Sequence, residues 1–286
     1  MTEHQPTQPA EPRPPATEGL PADLQTDAQT AALIAAIRDR TPARLLLERR
    51  GGSYRTRDQL ALHEDHAAAV DAVWRTFDPQ RDWPADFCER WCFVDAASAA
   101  ATKEDHIRRP DLGRIFSTAA ATAVASSCPH AADMQVVVGD GLSAGAVARQ
   151  VPRLLPLLAD AASRHGWSFG RPILVRHCRV GILNQVGAIL APRVAVLLVG
   201  ERPGLRSAES LSAYMAYRPA AEHTDAHRNL VSNIHAAGTP PEHAAERIAA
   251  LAAEMMRLET SGPLVKEVIG QKTPRVAGRD RGLPGR

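Results

Sequence analysis

The sequence predicts an α/β fold, with a mainly helical first part followed by a mostly parallel sheet flanked by helices. Three observations predict it. Up to about residue 130, apolar residues recur at helical spacing behind capping signals. From Asp133 onward, short runs that are apolar on both faces alternate with helical stretches, the pattern of buried strands joined by crossover helices. Gly- and Pro-containing turns separate these runs.

Taken in order, residues 1–26 are rich in Pro, Glu, Gln and Thr, with too little apolar bulk to offset the entropy of ordering, so a disordered tail is expected. A mainly helical domain is expected over 27–130. It opens with a helical pattern at 27–40 and a second helix from Thr56 to Trp74, where Thr56 and Gln59 form a T-x-x-Q capping box. Residues 77–98 lose periodicity and read as an irregular connection, and a helix resumes after Pro110. The sheet domain spans 131–270, with strands at 135–139, 172–176, 193–200 and 212–217 and helices at 143–150, 154–165 and 183–190. A last helix starts at T-P-P-E, with Thr239 as cap, Pro240 at the first helical position and Glu242 closing the box, and runs towards Leu258. Residues 271–286 form a basic tail, expected to be loose.

A chain of 286 residues can bury a substantial core. No apolar run approaches the length of a bilayer span, and the N-terminus shows no basic segment followed by an apolar one, so a soluble, cytoplasmic protein is expected. The net charge of +2 argues against nucleic acid or an anionic membrane as partner. Lys103, Lys266 and Lys272 are the only lysines. The four cysteines, Cys88, Cys92, Cys128 and Cys178, lack the paired spacing of a zinc site and are read as reduced and structural.

Ligands of open α/β sheets bind where loops leave the carboxyl ends of the strands. Three loops therefore matter most: G-D-G-L-S from Gly139, H-C-R-V-G from His177, and G-E-R-P-G from Gly200. The first, continued by Ala144, fits G-x-G-x-x-G/A between a strand and a helix. A nucleotide site also wants an acid closing the next strand, where this chain reads Arg-His-Cys-Arg. The commoner use of such glycines is a tight turn with Asp140 or Ser143 capping the helix, and presentation of backbone amides to another large cofactor is a third use. Pro203 and Gly204 carry a type II turn signature that would leave Glu201 at the strand end facing the crevice, although pairing with Arg202 or Arg206 on a solvated loop is the commoner fate of such a residue. His177 and Cys178 are adjacent and, in an extended segment, point to opposite faces, which argues against a shared metal. His63 and His66 read as exposed polar residues of a helix. No hydrolase-type triad order or paired carboxylates stand out.

These motifs occur in a specific order. A-R-L-L-L-E-R-R-G-G-S-Y-R-T-R from Ala43, R-P-D-L-G-R from Arg109, V-V-V-G-D-G-L-S-A from Val136, R-H-C-R-V-G from Arg176, L-L-V-G-E-R-P-G-L from Leu197, E-S-L-S-A-Y from Glu209 and S-N-I-H-A-A-G-T-P-P from Ser232 together make the chain similar to the small subunit of ethanolamine ammonia-lyase, over about residues 43–262. The resemblance implies a helical N-terminal part and a Rossmann-like C-terminal part that hold one side of adenosylcobalamin against a large TIM-barrel subunit within a higher-order hetero-oligomer. It places substrate and radical chemistry on the large subunit, gives acetaldehyde and ammonia as products, and leaves enclosure in a bacterial microcompartment open. The family's cobalamin contacts fall on Val180, Glu201 and Leu230. At the third of these, relatives commonly carry Cys within C-I-S-N-I, whereas this chain reads Leu230-Val231-Ser232-Asn233-Ile234. The lower base of the cobalt is expected to come from the cofactor, and no protein metal ligand or catalytic residue is expected. Asp225-Ala226-His227 resembles the start of the D-x-H-x-x-G pattern by which some cobalamin proteins supply a His to cobalt, but Leu230 stands where Gly is needed. Two other readings follow from single features: an NAD-type oxidoreductase from the Gly139 loop, and a structural assembly protein without cofactor from Leu230.

Overall fold

The structure, a computed structural model, describes residues 22–40, 45, 47, 49–204 and 209–267. The expected tails at 1–21 and 271–286, and part of the 43–57 motif, lie outside the described residues. The chain divides into two compact units, up to Arg55 and from Thr56 onward. In the first, helix α1 (Ala22–Asp39) begins ahead of the expected 27 and so takes in residues 22–26, and a short antiparallel pair joins β1 (Arg49–Arg50) to β2 (Ser53–Tyr54).

The second unit opens with α2 (Thr56–Trp74), whose first helical residue is the Thr56 expected to cap it. The stretch expected to be irregular holds two short helices, α3 (Pro79–Asp82) and α4 (Ala85–Trp91), and a strand, β3 (Val94–Ala97). Aromatic packing organises it: the ring of the buried Trp83 lies 4.7 Å from Phe77, 5.2 Å from Phe87 and 5.0 Å from Phe93. After α5 (Lys103–Arg108), the helix expected past Pro110 is a single 3₁₀ turn at Leu112–Arg114, and α6 (Thr118–Ser127) starts only where Ser117 caps it.

Strand β4 (Met134–Gly139), helix α7 (Ala144–Arg164), strand β5 (Ile173–Arg176), helix α8 (Ile182–Leu190) and strand β6 (Val194–Gly200) follow in alternation. Strands β7 (Leu211–Tyr217) and β8 (Asn229–Ile234) and helix α9 (Pro241–Leu258) complete the unit. The six-stranded sheet has the order β3-β5-β4-β6-β7-β8. Its first four strands are mutually parallel, and β7 and β8 extend it by antiparallel pairing. The fold is thus mixed α/β with a mostly parallel sheet and flanking helices.

Alternation along the strands builds two cores. Val136, Val138, Val196 and Leu198 face α7 and α9, while Val137, Val175, Leu197 and Val199 face α6 and α8. Three sequence expectations are corrected by this packing. The helices expected at 143–150 and 154–165 are one helix, α7, running through Pro152 and Pro156. Each proline removes a backbone donor, yet Val147, Val151, Leu154, Leu155 and Leu158 are fully buried against the sheet, and that apolar face holds the helix together. Strand β8 carries no strand signal in the sequence, because its polar, non-alternating run is buried only at Val231 and Ile234. Helix α9 has Pro240, not Thr239, as its N-cap; the Thr239 backbone N–H donates to the Asn233 carbonyl at 2.8 Å instead.

Candidate functional site

Connections diverge at the centre of the sheet. From β4 the chain turns through α7 towards β5, and from β6 it turns the other way into β7, so a crevice opens between the carboxyl ends of β4 and β6. A cleft of about 190 Å³ lies there, walled by the loops after β4, β5 and β6. Val180, Glu201, Arg179, Arg202, Gly141 and Tyr214 are among its lining residues.

The loop after β4 is built by close packing. Gly141 takes φ +54°, and a Cβ there would lie 2.3 Å from the Gly200 carbonyl oxygen; the Leu142 N–H donates to that same oxygen at 3.0 Å. A Cβ on Gly139 would meet Cys178 at 2.6 Å. Ser143 caps α7 by accepting the Ala146 N–H at 3.1 Å, and the buried Asp140 carboxylate accepts the Cys178 N–H at 3.0 Å. These glycines are needed for strand-to-loop contact and the helix cap, as the turn reading of the motif supposed. The Gly141 carbonyl is also engaged, accepting from Lys103 Nζ at 3.2 Å and facing His106 Nε2 at 3.0 Å. Because a carbonyl only accepts, Nε2 carries the proton, and the buried Nδ1 of His106 is left without a partner. Burial, reinforced by the charges of Arg179 and Lys103 against the opposing pull of Asp140, pushes the His106 pKa down to about 4. Burial likewise lowers the Lys103 pKa.

In the loop after β5, His177 adopts φ +58° rather than the extended backbone expected. Its Nδ1 lies 2.9 Å from the Ala100 carbonyl, while the thiol of Cys178 is buried beneath Gly139, so the two side chains still diverge. Burial holds that thiol well above the ordinary cysteine range. All four cysteines are free. Val180 is half-buried, packed against the core cluster under α8. Arg179 is fixed by its guanidinium, which donates to the His106 carbonyl at 2.7 Å, and by its backbone N–H, which donates to the Gly113 carbonyl at 2.8 Å.

Glu201 leaves the end of β6 and is clamped rather than solvated. Its carboxylate accepts from the Ser210 hydroxyl at 2.9 Å, from the Ser212 hydroxyl, and from the Asn233 backbone N–H at 3.2 Å. Gly204 does not take the positive φ of a type II turn; among the described residues Glu201 pairs with no arginine, Arg202 included, and Arg206 lies outside the described residues. Leu230 does not line the cleft. It stands on β8 in register with Tyr214 of β7, which does, and it is 44% exposed. Burial, with the negative charge of Glu201, raises the Tyr214 pKa.

A family model described as ethanolamine ammonia-lyase light chain (EutC) matches residues 31–266. The chain belongs to this family. The ethanolamine ammonia-lyase small subunit of Bradyrhizobium diazoefficiens is 41% identical over 248 residues, covering 85% of this chain and 93% of the relative. That of Listeria monocytogenes serotype 4a is 38% identical over 222 residues, 78% of this chain and 74% of the relative. That of Clostridium acetobutylicum is 35% identical over 222 residues, 78% and 89% of the two chains.

For an ethanolamine ammonia-lyase light chain, the cleft brings together two of the three residues singled out from sequence, Val180 and Glu201, with Leu230 one strand beyond. Sequence reasoning missed Arg179, Arg202 and Tyr214. The two arginines stand inside motifs already noted, and their charge beside a strand end was the available signal. Tyr214 sits on a strand read as apolar and offered none. His227 is occupied locally: its Nδ1 accepts the Thr224 N–H at 3.1 Å, and its ring stacks on His223 at 5.0 Å. Among the described residues no helix is long and apolar enough to cross a membrane.

Proposed function

We propose that this chain is the small subunit of an adenosylcobalamin-dependent ethanolamine ammonia-lyase, and that its Rossmann-like part, residues 131–270, holds the cofactor against a large TIM-barrel catalytic subunit in a higher-order hetero-oligomer. The proposal locates it in the cytoplasm and gives the isolated chain no turnover. The observation that carries the reading is the clamped carboxylate of Glu201, which faces the same cleft as Val180 at the switch point of the sheet.

The residues fit such a group. A carboxylate has about four lone-pair sites, and three donors occupy Glu201 from the sheet side, leaving acceptor capacity for an amide N–H of a corrin side arm. The clamp fixes that acceptor before ligand arrives, which lowers the entropy lost on binding. Val180 offers an apolar contact within the same cleft; Leu230, exposed on β8, stands outside the cleft lining. When bound, the cofactor supplies the radical chemistry by which ethanolamine is converted to acetaldehyde and ammonia; this chain binds and orients it.

Co-expression with the large subunit tests the reading. Acetaldehyde release from ethanolamine, dependent on adenosylcobalamin, is expected from the pair and from neither chain alone. Turnover by this chain alone, or a well-formed pair that neither binds cofactor nor turns over, would overturn it.

A further inference from the structure

The cleft holds more positive charge than its structure needs. Arg179 and Arg202 both line it, and the stem of Arg114 packs against Gly181 next to Val180. Among the described residues, Arg179 and Arg202 have no ion-pair partner, and Arg179 Nε is buried without a hydrogen bond. Arg114 only approaches Asp225, at 4.0 Å. A part-buried guanidinium such as that of Arg179 is ordinarily paired, while Arg202 is exposed at the mouth of the cleft. Here the cations face one another: burial first, and then the like charge of Arg202, lowers the Arg179 pKa.

The negative groups nearby are committed elsewhere. Asp140 accepts the Cys178 N–H, Asp225 pairs with Arg228, and Glu201 is held by Ser210, Ser212 and Asn233. Counting the side chains that line the cleft, two arginines against one glutamate leave a single positive charge. Helix α8 points its N-terminus at the same wall, with Gly181 as a cap that has no side chain to offer.

We infer that Arg179 and Arg202 form a seat for a phosphate group, matched to the single charge of a phosphodiester, on a ligand whose N–H donors reach Glu201. Arginine presents its N–H groups in a fork suited to phosphate oxygens, and the bonds that hold Arg179 to His106 and Gly113 set its orientation beforehand. The inference rests on the proposed cofactor role, under which the phosphodiester is that of the cofactor's nucleotide loop; free inorganic phosphate is the other source of the same chemistry.

The test uses the full chain in complex with the large subunit and reads affinity by absorbance titration. Adenosylcobinamide and adenosylcobinamide phosphate differ only in the phosphate. The wild-type complex is expected to bind the phosphorylated form about tenfold or more tightly than the other, as expected for a charge-assisted contact. Arg179→Gln and Arg202→Gln should erase that preference, and Arg179→Lys should restore part of it. No preference between the two forms in the wild-type complex would overturn the assignment to the cofactor, and millimolar inorganic phosphate strengthening the binding of both forms alike would mark a seat for free phosphate instead. Wild-type preference that survives in both glutamine variants would overturn the inference and leave the cofactor role standing. Failure of the wild-type complex to bind adenosylcobalamin at all would remove the cofactor role and the inference with it.

Discussion

At the scale of single residues, the site depends on groups whose geometry is fixed before any ligand arrives. Glu201 spans the ends of β6, β7 and β8 through its three donors. Glu201→Ala should therefore weaken adenosylcobalamin binding by the complex about tenfold or more, read by titration, because the cleft loses a clamped carboxylate. Gly141→Ala places a Cβ at positive φ and 2.3 Å from the Gly200 carbonyl. The conformation alone costs about 1–2 kcal/mol, and displacing β6 adds to it, so urea unfolding should show a loss at or above that range. His106 supplies a pH signature. Its pKa is about 4 in the folded chain, against an ordinary value near 6.5, so between these values the unfolded chain binds more protons. Its stabilising effect is full above about pH 6.5 and is lost as pH falls towards about 4. His106→Asn should flatten that part of the stability profile; a profile as steep as wild type would show that another group sets it.

At the scale of elements, strands buried on both faces were legible and edge strands were not. Every residue of β4 and β6 is buried; β6 reads from sequence as an unbroken apolar run, and β4 as one broken only by Gln135. Strands β3 and β8 occupy the two edges. Val-Asp-Ala-Ala of β3 exposes Asp95, and β8 carries Asn, Ser and Asn, so neither shows the apolar run or clean alternation that marks a strand. Helix α7 erred in the other direction: Pro152 and Pro156 read as a break, but tertiary burial outweighed local preference. Leu154→Ala in α7, fully buried, should destabilise the chain by about 2–5 kcal/mol in urea unfolding. Leu60→Ala in α2, where Leu60 is 62% exposed, should stay within about 0.5 kcal/mol. Equal effects would contradict the assignment of α7 as the helix that organises the core.

At the scale of the molecule, both buried clusters are made of residues from Phe77 onward. The unit from Thr56 thus has its own core on each face of the sheet, and a chain lacking residues 1–55 should unfold cooperatively with a Tm within a few degrees of the full-length protein. Loss of a cooperative transition by calorimetry would show that the first unit is needed for folding.

The α/β class, the central strands, the three loops at their carboxyl ends and the family are legible in the residues alone, because they depend on periodicity and ordered motifs that a linear chain displays. The sequence also brought forward Glu201, which stands directly after β6, and Val180, in the loop that follows β5. Sheet packing alone shows that Glu201 is clamped by Ser210, Ser212 and Asn233, that Leu230 lies one strand away from the cleft, and that, among the described residues, Arg179 and Arg202 share its wall without an ion-pair partner. Those facts arise from contacts between segments far apart in the chain, whose distances follow from sheet order and strand register, and no local pattern of residues encodes them.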